Sequence, residues 1–345
     1  MIKRGSIVTH PEYGKGEVIE VFKNGFEFQV RFDNRHRIVR CDQIEEDNPI
    51  PEPIPNPNPL KPPSPNFKFR QMIEAFRMGI VPEKYVKDFT FGRDDEIKSI
   101  EQWLNSFKES SKLLIGDYGT GKTHLLNYTH YQAMKEGYAV AYVAMDDTET
   151  PFSNPKRVYS QLVQNLQFYS SFDSSFHNFR DLVEIALSKH LLQDHMYFNR
   201  LIWHKDEAIW DWLKAKEKAP KPYRYDGKKY DVTGMYDNTK SANIYCYLLS
   251  GLGYAAQTIG LKGLLLIFDE AESISSSRSI RQERSYNFLE SLLATARGKL
   301  ELLNHPKDSG YDYSHHADYI PFLYKQPSGL KVLIAYTSNR DINQY

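Results

Sequence analysis

The apolar run Leu113-Leu114-Ile115 breaks into Gly116-Asp117-Tyr118-Gly119-Thr120-Gly121-Lys122-Thr123, after which apolar residues return at helical spacing. Strand, glycine-rich loop and helix in this order constrain the fold more than any other stretch of the chain. The loop reads G-x-x-x-x-G-K-T, and each part has a chemical use. Glycines let backbone N–H groups close around phosphate oxygens. The following helix aims its unsatisfied N-terminal donors at the same anion. Lys122 can reach the β- and γ-phosphates of a nucleoside triphosphate, and the Thr123 hydroxyl can hold Mg²⁺. A glycine turn that merely capped a core helix would leave Lys122 and Thr123 without a purpose.

A nucleotide loop needs an acidic partner, and Leu264-Leu265-Leu266-Ile267-Phe268-Asp269-Glu270 supplies one. Five large apolar residues in a row suggest a strand buried on both faces of a parallel sheet. Its carboxyl end is where open α/β sheets bind ligands. Asp269 fits the acid that orients Mg²⁺, and Glu270 fits the group that polarises an attacking water. Glu272 is a second candidate for the water. An acidic helix start after a core strand is the plainer alternative.

A third strand, Gly329 to Tyr336, runs into Thr337-Ser338-Asn339. The tip of the strand beside the acidic one is where additional-strand P-loop ATPases keep a polar sensor of the γ-phosphate. Thr337 and Asn339 both qualify, and an ordinary strand-ending turn also fits.

At 345 residues the chain has room for a large core and a smaller module. Basic and acidic residues balance at 44 each, so any nucleic-acid or membrane contact must come from a local patch. The two cysteines, Cys41 and Cys246, have no disulfide or metal-ligand spacing, which predicts a reducing, cytoplasmic setting. The start lacks the apolar core of a signal peptide, and no apolar run is long enough to predict a membrane span.

Three segments are predicted: residues 1–47, a small SH3-like β-barrel; 48–66, a proline-rich linker; and 67–345, a P-loop ATPase domain. In the linker Pro49, Pro51, Pro53, Pro55, Pro57 and Pro59 alternate with other residues. Such a run disfavours helix and sheet and reads as an extended spacer, with an SH3-type ligand at Pro62-x-x-Pro65 as the alternative. Before it, period-2 alternation over Glu17–Phe22 and Phe26–Phe32 flanks Asn24-Gly25, a hairpin signal. Val8-Thr9-His10-Pro11-Glu12-Tyr13-Gly14-Lys15-Gly16-Glu17-Val18 resembles the start of Tudor-like modules, which touch protein partners or duplex DNA. His10 beside a turn is expected to serve packing. Arg35, His36, Arg37 and Arg40 make a basic edge, either a solvated barrel face or a DNA contact.

Within the third segment, Ile97, Ile100, Trp103 and Leu104 mark an amphipathic helix, and Tyr138 to Met145 reads as a buried strand. Residues 151–260 read as mostly helical with one polar interruption, where lysines mingle with Tyr223, Tyr225 and Tyr230. Basic residues among aromatics can track single-stranded nucleic acid; a solvated loop is the simpler alternative.

Together, Glu74-Ala75-Phe76-Arg77-Met78-Gly79-Ile80-Val81-Pro82, Phe91-Gly92-Arg93-Asp94-Asp95-Glu96, the loop through Thr123-His124, and Asp269-Glu270-Ala271-Glu272 resemble the P-loop ATPase family of bacteriophage-exclusion (BREX) defence systems. The resemblance implies an α/β fold: an AAA+, origin-recognition-like parallel sheet flanked by helices. It also implies ATP and Mg²⁺ as cofactors. ATP would be bound by Gly116, Asp117, Tyr118, Gly119, Thr120, Gly121, Lys122, Thr123 and His124. Thr123 and Asp269 would hold the metal, and Glu270, Thr337 and Asn339 would be catalytic. The leading expectation is an ATP-hydrolysing motor or switch in a homo- or hetero-oligomer, with a helicase, nuclease or methyltransferase of the defence system as partner and DNA as a candidate target. The alternatives are a nucleotide-dependent scaffold with little hydrolysis and a DNA- or RNA-polymerase-binding adaptor led by the barrel. The chain stops at Tyr345, where the family continues into a fifth strand, an arginine-finger region and often a helical lid. Those groups are therefore expected from a partner or from sequence beyond this chain.

Overall fold

The computed structural model describes residues 4–22, 27–33, 35–40, 43–46, 69–70, 73–74, 77, 86–88, 90–170, 174–202, 206–218, 223–225, 228–230, 234–235, 242–272, 274, 279–300 and 320–338. The Asn24-Gly25 turn, the proline run of 48–66, Cys41 and Asn339 lie outside them. Two compact units are present, Met1–Glu74 and Ala75–Tyr345.

In the first unit, β1 (Ile7–His10), β2 (Gly14–Phe22), β3 (Glu27–Phe32), β4 (Arg35–Arg40) and β5 (Glu45–Glu46) form one antiparallel sheet in the order β4-β3-β2-β1-β5. Alternation explains it: Val8, Val18, Phe28, Val30, Phe32 and Val39 share the buried face. His10 is buried, stacked on Tyr13 with centroids 4.4 Å apart, and its Nδ1 accepts the Glu12 N–H at 3.1 Å. It packs, as its position beside a turn predicts. β4 is an edge strand, with Arg35, His36, Arg37 and Arg40 exposed and the Arg37 guanidinium 4.2 Å from the Tyr13 ring centroid. Charged side chains on an edge also discourage pairing with another chain.

The second unit is α/β. Its elements in chain order are α1 (Asp94–Asn105), β6 (Ser111–Gly116), α2 (Lys122–Lys135), β7 (Ala139–Ala144), α3 (Pro155–Gln164), β8 (Gln167–Ser170), β9 (Ser175–Asn178), α4 (Phe179–Ser188), α5 (Glu207–Leu213), β10 (Tyr223–Tyr225), β11 (Lys228–Tyr230), α6 (Ala242–Ile259), β12 (Leu264–Asp269), α7 (Ser279–Arg297) and β13 (Leu330–Thr337). The six-stranded sheet runs β6-β13-β12-β7-β8-β9. Its first four strands are parallel, with β13 inserted between β6 and β12.

Two expectations need correction. The sheet is mixed, because β8 and β9 form an antiparallel hairpin added beyond β7. Residues 151–260 are accordingly not simply helical with one break. The polar interruption itself contains a second hairpin, β10 with β11. The β8–β9 strands are four residues each and mostly polar, so they carry no strong alternation; pairing of β8 with β7 and of β9 with β8 makes them strands.

The central strands are buried on both faces, and side-chain parity decides which face each residue serves. Leu265 and Ile267 of β12, with Val140 of β7 and Leu333 and Ala335 of β13, pack against Ile100, Trp103 and Leu104 of α1 and Leu125 and Leu126 of α2. Leu264, Leu266 and Phe268 pack on the other face with α3, α4 and α6. The same parity puts Asp269 on the α2 face, at the carboxyl end of β12. α6 is buried around its whole circumference from Ala242 to Gly253, which makes it a core helix. No helix among the described residues is long and apolar enough to cross a membrane.

Candidate functional site

The carboxyl ends of β6, β12 and β13 converge on the start of α2. β6 ends at Gly116, and the chain turns through residues 117–121 before α2 begins at Lys122. Gly119 and Gly121 have φ of 76° and 82°, a region open to glycine at no steric cost. Gly121 is the N-cap residue and supplies no side-chain cap, so the first N–H groups of α2 are left for another acceptor. The loop is drawn closed by Thr120, whose Oγ1 donates to the Asp117 carbonyl at 2.8 Å. The Arg93 guanidinium grips it from outside, donating to the Thr120 carbonyl and, at 2.9 Å, to Glu96. Tyr118 points into solvent at 95% exposure.

Lys122 folds back over the loop, its Nζ donating to the carbonyls of Gly116 and Asp117 at 3.0 Å each. Thr123 turns towards β12 and donates from Oγ1 to Asp269 Oδ2 at 2.8 Å. The two residues are 146 positions apart in sequence. Asp269 is only 3% exposed, and it takes two further bonds: the Tyr142 hydroxyl to Oδ2 at 2.8 Å and the Glu270 N–H to Oδ1 at 2.9 Å. His124, one residue further along α2, is engaged with Thr90, Nε2 to Oγ1 at 2.9 Å. Burial, and then the nearby Arg93 charge, hold its imidazole below the ordinary value.

Glu270 leaves the strand with φ of 56°, in the left-handed region that a non-glycine residue seldom adopts. Such strain, of order 1–3 kcal/mol, collects at functional sites. The side chain is exposed. Partial desolvation, and then the carboxylates of Asp269, Glu272 and Asp146, raise its pKa above the ordinary carboxyl value.

At the tip of β13, Thr337 donates from Oγ1 to Glu272 Oε1 at 2.7 Å and from N–H to Oε2 at 3.3 Å. The next residue, Ser338, ties the strand to the loop, Oγ to Asp117 Oδ1 at 2.6 Å. Gly116, Asp117, Lys122, Thr123, Asp269 and Thr337 thus meet in one place, with Gly119, Thr120 and Gly121 closing the loop beside them.

Two residues of this cluster stand outside the sequence motifs: Tyr142, inside a strand that reads as buried, and Ser338, between Thr337 and Asn339. A tyrosine inside an otherwise aliphatic run, two residues before the strand end, was the available signal for the first. No group of three or more His, Cys, Asp or Glu residues suited to a metal occurs among the described residues.

A family model described as "BREX system ATP-binding protein BrxC/D" matches residues 65–194, less than half of the chain. The matched span includes the loop and α2, and ends well before Asp269 and Thr337. No curated protein matches the chain, and no solved structure matches it.

Proposed function

We propose that this chain is a Mg²⁺-dependent, AAA+-like ATPase that works as a switch or motor in a bacterial anti-phage complex. The match over residues 65–194 supports an ATP-binding role in phage defence. One observation carries the finer reading: Thr123 and Asp269 meet at 2.8 Å because β13 lies between the loop strand and the acidic strand. That strand order is the one additional-strand P-loop ATPases need, with a sensor residue between the phosphate loop and the acid.

The residues fit the groups assigned to them. The loop N–H groups and the start of α2 suit phosphate, with Lys122 reaching the β- and γ-oxygens. Asp269 is a buried carboxylate held by hydroxyls and an N–H, beside a threonine hydroxyl, which suits a hard oxygen-liganded cation. Thr123 and Asp269 are the residues that would hold Mg²⁺, which when bound would neutralise charge on the phosphates. Glu270, its pKa raised, is the base that would orient and deprotonate the attacking water. Thr337 would read the γ-phosphate, and Asn339, outside the described residues, remains a second candidate for that role. The N-terminal sheet, read as an SH3- or Tudor-like module with a basic edge at β4, would contact DNA or a partner such as a helicase, nuclease or methyltransferase.

A specific observation favours a second reading, a nucleotide-dependent scaffold with little hydrolysis. Thr337 gives both donors to Glu272, which leaves the sensor engaged by protein. Calorimetry of ATP with Mg²⁺, followed by phosphate release, separates the two. The ATPase reading expects binding, turnover, and a Glu270→Gln variant that binds ATP with wild-type affinity but turns over at least ~100-fold more slowly. Binding with no turnover in the wild type at any protein concentration, alone or with a partner of the complex, selects the scaffold, and absence of binding removes both.

A further inference from the structure

Tyr142 belongs to none of the motifs that mark the site, yet its hydroxyl donates to the carboxylate at the centre, 2.8 Å from Asp269 Oδ2. The geometry follows from register. β7 and β12 are parallel, with Ala144 opposite Asp269 and Tyr142 opposite Ile267. Tyr142 therefore sits diagonally from Asp269 on the same face of the sheet, within reach of a long side chain. Its ring packs at the margin of the core between the sheet and α1 and α2. A phenol has two rotatable bonds before its hydroxyl, so a ring held by packing delivers that hydroxyl at a fixed point.

The terminal torsion of an aspartate is broad, and hydrogen bonds must set its orientation. Oδ1 is held by the Glu270 N–H, on a residue whose backbone is strained. Oδ2 is held by Thr123 and Tyr142. Thr123 is exposed at the helix start, and its hydroxyl is the one assigned to the cation. Tyr142 is the donor to Oδ2 that the cation does not recruit. Donors of this kind behind a metal-holding residue set its orientation and tune its affinity.

We propose that Tyr142 is a positioning residue for Mg²⁺ binding, acting through Asp269. It keeps Oδ2 turned toward Thr123 whether or not nucleotide is present. The inference rests on the Mg²⁺-ATP reading of the site. Tyr142→Phe removes the hydroxyl and retains the ring. The test is the Mg²⁺ concentration that half-saturates binding of a fluorescent ATP analogue to the full chain, with melting curves to check the fold. The expected result is a rise of about 10-fold or more in Tyr142→Phe, with affinity in EDTA unchanged. In an Asp269→Asn background the same substitution should have little further effect, because the two groups act as one unit. An unchanged Mg²⁺ requirement in Tyr142→Phe, or an equal effect in both backgrounds, overturns the role of Tyr142 and leaves the site reading standing. A wild-type chain whose nucleotide binding ignores Mg²⁺ overturns the site reading itself, and this inference with it.

Discussion

Thr337 and Glu272, 65 positions apart, are joined by two hydrogen bonds: hydroxyl to Oε1 at 2.7 Å and N–H to Oε2 at 3.3 Å. On the proposed reading, a carboxylate thus fills the donors that a γ-phosphate would use. If the two acceptors compete, removing the carboxylate should help the phosphate. Glu272→Ala is expected to tighten ATP binding about five-fold, close to 1 kcal/mol, the scale of one net hydrogen bond. ADP, which lacks the γ-phosphate, should bind equally to both forms. An equal change for ATP and ADP would show that Glu272 acts on the fold of the loop and not by competition.

Lys122→Ala should abolish ATP binding measured by calorimetry. On the proposed reading, the lysine is the loop side chain that would bring a full positive charge to the β- and γ-phosphates. Because its Nζ bonds, among the described residues, carbonyls of its own loop, the melting temperature without nucleotide should hardly move. Wild-type ATP affinity in this variant would place the nucleotide elsewhere.

Lys331 offers a stability prediction remote from the site. It is 8% exposed, and its ammonium donates to the carbonyls of Trp103, Ser106 and Glu109 at 2.8 Å each, tying β13 to the end of α1. Lys331→Met should destabilise the unit by ~1–3 kcal/mol in denaturant titration, because the partly buried carbonyls of Ser106 and Glu109 lose this donor while that of Trp103 keeps the Ser106 N–H. Burial pushes the Lys331 pKa down to about 8, with Glu109 opposing and Lys262 adding to the shift. Between that value and the ordinary lysine value near 10.5, the unfolded chain binds more protons than the folded one. The contribution of Lys331 to stability therefore rises with pH across this window and is flat below it. Subtracting the Lys331→Met profile from wild type isolates the effect from other groups; a difference that falls as pH rises would reverse the assignment.

Hydrolysis by the isolated chain should be weak and rise with protein concentration or on adding a partner. AAA+ sites usually take an arginine from the next subunit to stabilise charge in the transition state, a contact worth orders of magnitude in rate. Arg281, Arg284 and Arg297 are exposed on α7, where a neighbouring subunit could use them. Specific activity that is high and flat over a hundred-fold dilution would mean that one subunit completes its own site.

Local patterns determined what the sequence could announce by itself. The glycine loop, Lys122 and Thr123 are contiguous, the burial of β12 is written in an unbroken apolar run and that of β13 in a run interrupted at Lys331, so the strand ends and the acids after β12 could be named. The basic edge of β4 was likewise readable from its own residues. Tertiary structure decided what depends on strand order and register. Parallel pairing with β13 in the middle brings Asp269 to Thr123 across 146 positions. The offset of β7 against β12 turns Tyr142 from a core residue into a donor to the same carboxylate. β8 and β9 became strands because β7 had an open edge, and Glu272 took the donors of Thr337 because β13 ends beside the turn after β12. Backbone hydrogen bonds between strands carry no residue code, so which strands become neighbours is chosen by the burial of whole faces, and no stretch of chain read alone contains that choice.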